Sequence, residues 1–406
     1  MHPPRNQSPQ DPTWQFKPNL CIEQPACSPE ELAQRLRHHA SELGLEALGF
    51  AAIEPFHEAR EALASWISAG YQGTLQYMLS DGDRADPARL ARKSVTIVMV
   101  AMGSSPRTQQ VRRLPLLGQI AAYAAGPDYH SSLRSKLAAL GQLIADHSGR
   151  PIEARACVDT APLLEREAAR RAGLGFIGKS NMLILPGVGS QVLLGALLVD
   201  LAIAPDAPRD HRCGRCTACL DACPTQAFVG PWLLDARRCI AYLTIEYQGW
   251  IPYELRPLIG TRIFGCDVCQ DVCPFNHGRD ETSPNRDGTA TYNVPEIGLE
   301  KWLRLSSSDY RRLTSGSALR RASRRQLLRN AAVAAGNSGD LSILEPLATL
   351  LASSIYPIVR GHSAWALGQF HDAAATTALE QAKLTETHSE VAREVARALE
   401  EQSARH

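Results

Sequence analysis

The stretch Cys213-Gly-Arg-Cys216-Thr-Ala-Cys219-Leu-Asp-Ala-Cys223-Pro224 decides how this chain is read. It returns, short of its first cysteine, as Cys266-Asp-Val-Cys269-Gln-Asp-Val-Cys273-Pro274, and Cys239 lies between the two copies in Arg238-Cys-Ile. Two-residue gaps let a tight loop aim successive sulfurs at one iron–sulfur cube, while the cysteine before each proline reaches across to the other cube. By that rule Cys213, Cys216, Cys219 and Cys273 hold one cluster, and Cys223, Cys239, Cys266 and Cys269 hold the second. A zinc ribbon would use only Cys213/Cys216 and Cys266/Cys269, leaving Cys219, Cys223, Cys239 and Cys273 without a task. A disulfide framework belongs to small secreted chains, and this one has 406 residues.

The spacing is that of bacterial two-cluster ferredoxins, so residues 206–285 are expected to form a ferredoxin-like domain holding two [4Fe-4S] clusters. Lysine and arginine number 43 against 42 aspartates and glutamates, a net charge of +1. An anionic partner must therefore be met by a local patch. Met1 to Pro18 is rich in Pro, Gln and Asn without the apolar core of a secretory signal. The longest apolar run, Val192 to Ala204, is interrupted by Asp200 and too short to cross a bilayer. A cytoplasmic protein without a membrane part is expected, in a compartment whose reducing state suits clusters. Cys21, Cys27 and Cys157 read as ordinary free thiols.

Residues 1–27 read as a loose leader. Ser28-Pro29-Glu30-Glu31 has the form of a capping box with proline at the first helical position. The helix it opens carries Leu32, Leu36, Ala40 and Leu43 at helical spacing. A strand follows at Leu45–Ile53, then a helix at His57–Ala69 with Leu63 and Trp66 inward. Ser94–Met102 is apolar on both faces, as a buried central strand requires. Further helices are expected at Tyr129–His147 and Thr160–Ala172, and strands at Ile152–Val158, Asn181–Pro186 and Gln191–Val199. Residues 28–205 thus form an α/β layer domain. Within it, Gly173-Leu-Gly-Phe-Ile-Gly178-Lys179-Ser180 satisfies both the Walker A and the dinucleotide pattern. Both motifs need a strand before the glycines and a helix after them. Here the order is reversed, so a close-approach loop for another ligand is expected.

Beyond residue 286 the chain becomes helical and, at first, basic. Lys301, Arg304, Arg311, Arg312, Arg320, Arg321, Arg324, Arg325 and Arg329 face only Asp309 between positions 301 and 330. That is either a phosphate-binding surface or a solvated helix face. Arg329-Asn-Ala-Ala-Val-Ala-Ala-Gly336 recurs loosely as Arg360-Gly-His-Ser-Ala-Trp-Ala-Leu-Gly368, and again at Arg393–Leu399. A period near thirty residues suggests HEAT-like repeats across 286–406, used as scaffold or as a concave binding surface.

The chain resembles the epoxyqueuosine reductases, cobalamin-dependent enzymes that finish queuosine synthesis in tRNA. The likeness rests on Cys219-Leu-Asp-Ala-Cys-Pro-Thr225, Leu234-Asp-Ala-Arg-Arg-Cys-Ile-Ala-Tyr-Leu-Thr-Ile-Glu246, Glu254-Leu-Arg-Pro257 and Arg262-Ile-Phe-Gly-Cys-Asp-Val-Cys-Gln270. Upstream it includes Val158-Asp-Thr-Ala-Pro-Leu-Leu-Glu-Arg166 and Ala172–Lys179. Downstream it includes Gly316-Ser-Ala-Leu-Arg-Arg321 and Leu328-Arg-Asn-Ala331. Departures fall at Gln72-Gly-Thr-Leu75, where the family has His-Gly-x-Met, at Gly103-Ser104 for Asn-Tyr, and at Ala122-Tyr-Ala124 for Arg-Tyr-Ala.

The resemblance implies reduction of the epoxide of epoxyqueuosine to the alkene of queuosine at the wobble position of tRNA. It implies cobalamin held without its lower base, fed by the two clusters from an external low-potential donor, in a monomeric enzyme. Asp159 matches the family's proton donor; read locally, it is equally a helix N-cap. To act as an acid near neutral pH it would need a raised pKa, from an apolar surround or a nearby carboxylate. By the same likeness Asp159, Lys179, Ser180, Leu183, Ile240 and Asp267 contact the corrinoid, and Arg320, Arg321, Arg324, Arg325 and Arg329 belong to the tRNA surface. Rival readings are a corrinoid reductase of another substrate, such as a reductive dehalogenase, a two-cluster electron carrier, and a tRNA-binding protein with structural clusters.

Overall fold

The computed structural model describes residues 11–19, 27–80, 83–104, 117–210, 212–276 and 297–404; Cys21 lies outside them. Five strands form the sheet of the first unit: β1 (Thr13–Phe16), β2 (Ala47–Ala52), β3 (Thr96–Gly103), and two later ones. After β4 (Gln119–Ile120), β6 (Phe176–Ile177) and β7 (Leu183–Ile184), which lie outside that sheet, β5 (Ile152–Cys157) and β8 (Val192–Val199) complete the count. The order is β1-β5-β8-β3-β2, with every neighbouring pair antiparallel.

Strand β3 shows why its sequence is apolar throughout. Val98 and Val100 point into one buried cluster, with Leu32 and Leu36 of α1 (Pro29–Ala40). Ile97, Met99 and Ala101 point into the other, with residues preceding β6. Alternate side chains leave opposite faces of a strand, and both faces are covered. Burying each of the larger side chains contributes roughly 1.5–3 kcal/mol. The first face also takes Leu133, Leu137, Leu140 and Ile144 from a long helix. In chain order that helix is α4 (Tyr129–Ser148), after α2 (His57–Ser68) and α3 (Tyr77–Ser80), and α5 (Glu165–Arg171) backs the second face. The capping box forms as expected: Glu31 N–H donates to Ser28 Oγ at 3.2 Å and Ser28 N–H to Glu31 Oε2 at 3.0 Å.

Two local expectations are corrected, those for the leader and for the helix at Thr160, and two hold, those for α2 and for the glycine loop. The leader is not loose throughout, because β1 pairs with β5 from Thr13↔Arg155 to Phe16↔Ile152. Helix α2 turns Leu63 and Trp66 inward as expected, although it buries no residue fully; Trp66 packs against the C-terminal core and its indole N–H donates to the Leu234 carbonyl at 2.7 Å. The helix expected at Thr160 begins only at Glu165, since Pro162 biases the residue before it away from helical backbone. The glycine loop is neither a Walker nor a dinucleotide loop. α5 leads in and the β6–β7 hairpin leads out, so no helix N-terminus meets a phosphate there.

The C-terminal helices Arg324–Gly336, Pro357–Gly368 and Ser389–Ala404 repeat at the spacing read from the sequence. The recurring glycine marks their contacts. A Cβ on Gly336 would lie 2.8 Å from Ala366 Cα, and one on Gly368 2.8 Å from Ala398 Cβ. One core spans what composition divides near residue 286. Ile240, Leu243, Ile263 and Phe264 pack with Trp302, Leu327, Leu328 and Trp365.

Candidate active site and cluster ligands

The eight cysteines sort into two neighbourhoods. The Cys219 thiol is pushed up by burial and then by Cys213, Cys273 and Cys216 beside it, and Cys273 sees Cys213 and Cys216. Cys269, the most strongly raised, sees Cys239, Cys266 and Cys223; Cys239 sees Cys223, and Cys266 sees Cys239. These are the quartets that the crossed-proline rule assigns. Cys269 also senses Cys219, so the quartets adjoin. Burial pushes Cys266 up to about 11, and ligation replaces such protons with iron outright. Among the described residues, no three His, Cys, Asp or Glu side chains close tightly enough for a single metal ion. The thiol chemistry and grouping fit cubes of four irons, each iron taking one sulfur.

The two quartets differ in setting. Cys216 is exposed. Its loop is gripped by Lys179, whose ammonium donates to the carbonyls of Gly214 at 2.8 Å and Cys216 at 2.9 Å. Cys239 and Cys266 instead pack against the large C-terminal core. The first quartet faces outward and the second inward.

Asp159 sits between β5 and α5 with φ 58°, a left-handed conformation that aspartate tolerates better than most residues. It caps no helix: Leu164 occupies that position for α5. Its own N–H donates to Glu165 Oε1 at 2.8 Å. Its Oδ2 lies 3.5 Å from His130 Nε2, and His130 Nδ1 is 2.6 Å from Asp128 Oδ1. The Asp159 side chain is 58% exposed; the desolvation it does suffer works to raise its carboxyl, yet His130, Arg321 and the Tyr129 hydroxyl together hold it below the usual range. Burial disfavours the His130 cation, but its bonds to Asp128 and Asp159 push it up to about 9. Glu165 is pushed up to about 8 by burial and by the charge of Asp159. The raised pKa expected of Asp159 is found instead on its two neighbours, His130 and Glu165. The Asp159 carboxylate thus lies between a His130 whose charged form is favoured and a Glu165 whose neutral form is favoured.

Tyr123 ties this carboxylate to the cluster region. It packs edge-on to Tyr129 at 6.1 Å and beside Phe264 at 6.2 Å. Its hydroxyl is pushed far up by burial, then by Asp159, Glu246 and Asp267. Asp267, next to Cys266, accepts from the Ala122 N–H at 2.8 Å. Ile240, next to Cys239, is buried, and its carbonyl accepts from the Thr244 hydroxyl at 2.7 Å. Ser180 is buried in the β6–β7 turn, and Leu183 lies in the sheet core. The Lys179 ammonium is spent on the cluster-one loop. Asp159 and the cluster-two loop thus face one region across Tyr123, which fits a group that must receive both electrons and protons.

The five arginines part company. Arg329 is fully buried and donates to the carbonyls of Leu243 at 2.6 Å, Tyr247 at 2.8 Å and Gly249 at 2.7 Å. It satisfies the end of the π-helical turn Tyr242–Glu246 and cannot meet a phosphate, which corrects its assignment to the tRNA surface. Its neighbours Gln326 and Asn330 serve Ile245 and Thr244 likewise. Arg324 donates to the Leu305 carbonyl at 2.7 Å. Arg321 pairs with Glu246 at 2.7 Å and lies over the Tyr77 ring, within reach of Asp159's charge. Arg320 is exposed, and Arg325 reaches Gln248 at 3.5 Å.

Family models described as the 4Fe-4S double cluster binding domain, as epoxyqueuosine reductase QueG, DUF1730, and as HEAT repeats match residues 212–276, 84–160 and 315–400. An epoxyqueuosine reductase from Pseudomonas aeruginosa is 42% identical over 347 residues, covering 84% of this chain and 94% of its own. The chain belongs to the epoxyqueuosine reductase family. The Escherichia coli epoxyqueuosine reductase is 39% identical, over 84% of this chain and 89% of its own. A crystal structure of epoxyqueuosine reductase with an epoxyqueuosine-modified tRNA-Tyr stem loop superposes with a TM-score of 0.82 at 32% identity, over 92% of this chain and 99% of that one. The Bacillus subtilis epoxyqueuosine reductase, at the same TM-score of 0.82 and 32% identity over 91% and 98%, was solved with its catalytic aspartate loop swung out of the active site.

Two of the family departures touch the site. Thr74 N–H donates to the Tyr242 hydroxyl at 2.9 Å, three residues from Cys239, and Ala122 holds Asp267. The third, Ser104, only bonds the Gln191 carbonyl at 3.0 Å at the end of β3. His130, Asp128, Glu165, Tyr123 and Tyr129 escaped the reading of individual residues. Tyr123 and Glu165 lie unremarked inside the quoted runs Ala122-Tyr-Ala124 and Val158–Arg166, and Asp128-Tyr-His130 is a tight cluster of titratable groups at a helix start.

Proposed function

We propose that this family member reduces epoxyqueuosine to queuosine at the wobble position of tRNA, using two [4Fe-4S] clusters and base-off cobalamin. The observation that carries the reading is the Asp128–His130–Asp159 array facing the cluster-two loop across Tyr123. Ser180, Leu183, Ile240 and Asp267 would hold the corrinoid, which would supply the open metal site that cysteine-ligated clusters lack.

Removing the epoxide oxygen takes two electrons and two protons and releases water. An oxygen leaves poorly as an anion, so an acid must stand beside it. His130 Nε2–H passes its proton to Asp159, which delivers it to the oxygen; Asp128 fixes the ring and stabilises its cation. Neutral Glu165, bonded to the Asp159 backbone, is the reserve for the second proton. The quartet of Cys213, Cys216, Cys219 and Cys273 would hold the cluster nearer the surface and that of Cys223, Cys239, Cys266 and Cys269 the one nearer the core, and together they would supply single electrons drawn from an external low-potential donor. Arg320 and Arg325 meet phosphates of the anticodon arm, beside the repeat helices, and Arg321 orders the mouth of the site. A monomer in the cytoplasm suffices for all of this.

Nucleoside analysis of tRNA from cells lacking the gene tests the reading. Epoxyqueuosine should accumulate in place of queuosine; an unchanged queuosine content would refute the substrate.

A further inference from the structure

The N-terminal segment ahead of β1 reaches the catalytic loop. Asp11, with a side chain 1% exposed, accepts from Val158 N–H at 3.2 Å and from the Thr160 hydroxyl at 3.1 Å. These are the two residues that flank Asp159. Its other oxygen accepts from Arg134 Nε at 3.1 Å and Nη2 at 2.7 Å. Arg134 stands one turn along α4 from His130. A single buried carboxylate therefore fastens both sides of the proton donor to the helix that carries the donor's partner.

The strap is anchored behind Asp11. Pro12 carbonyl accepts from Ala156 N–H at 3.1 Å, and β1 then pairs along the edge of β5. Phe16 fills the space over Gly141 of α4, where a Cβ would lie 2.4 Å from its ring. Asn19 N–H and the Lys17 carbonyl bond Asp146 and Gln142 of the same helix, both at 2.7 Å. Asp159 needs such fastening. Its left-handed backbone is an uncommon state for a residue with a side chain, and surrounding structure must hold it there.

From this geometry we infer that Asp11 is a positioning residue for the reaction. The N-terminal strap locks the 158–164 loop so that Asp159 faces His130. The inference rests on the proposed reaction only for its kinetic consequence; the locking itself is structural. Asp11 touches neither substrate nor cofactor. Without it, Val158 N–H and Arg134 lose their acceptor, and the loop becomes free to leave the site while the sheet beneath stays intact.

The test compares Asp11→Ala, Asp11→Asn and Thr160→Val with the full-length, cluster-loaded protein. It uses an epoxyqueuosine-modified tRNA stem loop, added cobalamin and dithionite, together with hydrogen exchange read peptide by peptide. Asp11→Ala should lower kcat about tenfold to a hundredfold, the scale of a misplaced catalytic group, with KM for the stem loop unchanged. Exchange should quicken in 158–164 but not in β3 or β8. Asp11→Asn, which keeps an acceptor for Val158, should recover part of kcat. Thr160→Val, isosteric and expected to fold, should show a smaller loss of the same kind. Wild-type kcat and loop exchange in Asp11→Ala, or a loss spread evenly over the sheet, would overturn the inference. If the unaltered protein does not convert the stem loop, the substrate reading fails, and loop exchange alone still decides the strap.

Discussion

At the residue scale, protons are assigned by neighbours rather than by residue type. Asp159→Asn should abolish turnover while iron content and tRNA affinity stay at wild-type levels, since the change removes the conduit and no ligand. The pH dependence has a definite sign. His130 is raised from its ordinary 6.5 to about 9, so its pairing stabilises the fold fully below about pH 6.5 and fades as pH rises through about 9. Turnover limited by proton supply should fall over the same upper range, and His130→Gln should remove that limb of the rate profile. Glu165 is raised from 4.5 to about 8; the folded state binds its proton more tightly, so stability declines as pH rises across that window. Glu165→Gln keeps an oxygen for the Asp159 N–H, and the melting temperature should then lose that decline. Arg329→Met leaves buried carbonyls without donors and should cost about 3 kcal/mol or more in denaturant unfolding. The cysteines were legible because their meaning lies in covalent spacing along the chain. His130 and Glu165 were not, because their pKa values arise only where α4 and the Asp159 loop meet. Arg329 looked like its solvated neighbours, and only the carbonyl-ended π turn beneath it explains why it is buried.

At the element scale, local signals held where one element decides its own fate. The Ser28 capping box and the two-faced apolar run of β3 needed no partner to be read. Ser28→Ala should therefore cost about 1 kcal/mol, visible as a lowered denaturant midpoint. Signals failed where a neighbour decides. Thr13–Phe16 alternates polar and aromatic residues over only four positions, too short to announce itself, and becomes a strand along the edge that β5 offers. The letters of the glycine loop alone would mislead in the same way; the order of its neighbours, helix before and hairpin after, is what excludes a phosphate cradle. Cys239 is the element-level test of the crossed ligand rule. Cys239→Ser should disturb cluster two and leave cluster one, so that the reduced protein keeps roughly half its iron and a single cluster signal in electron paramagnetic resonance. Equal loss of both signals would contradict the assignment.

At the scale of the whole molecule, the cluster loops and the helical repeats share one core, so neither is a detachable module. The repeats brace the inner cluster from behind through Gln326, Arg329 and Asn330, while Arg320 and Arg325 remain at the surface. Arg320→Ala and Arg325→Ala should each weaken stem-loop binding and lower the slope of log affinity against log salt by about one unit per lost phosphate contact. The first cysteine quartet lies toward the surface, the second packs against the core, and the Asp159 array stands across Tyr123 from the second; that these parts serve one reaction site is the central claim. It is tested most directly by anaerobic turnover of an epoxyqueuosine-modified tRNA stem loop, with cobalamin and dithionite supplied and the nucleoside product identified by mass. The account predicts queuosine from the wild-type protein and none from Asp159→Asn carrying its full iron. Queuosine from both, or from neither despite loaded clusters and bound corrinoid, would contradict it.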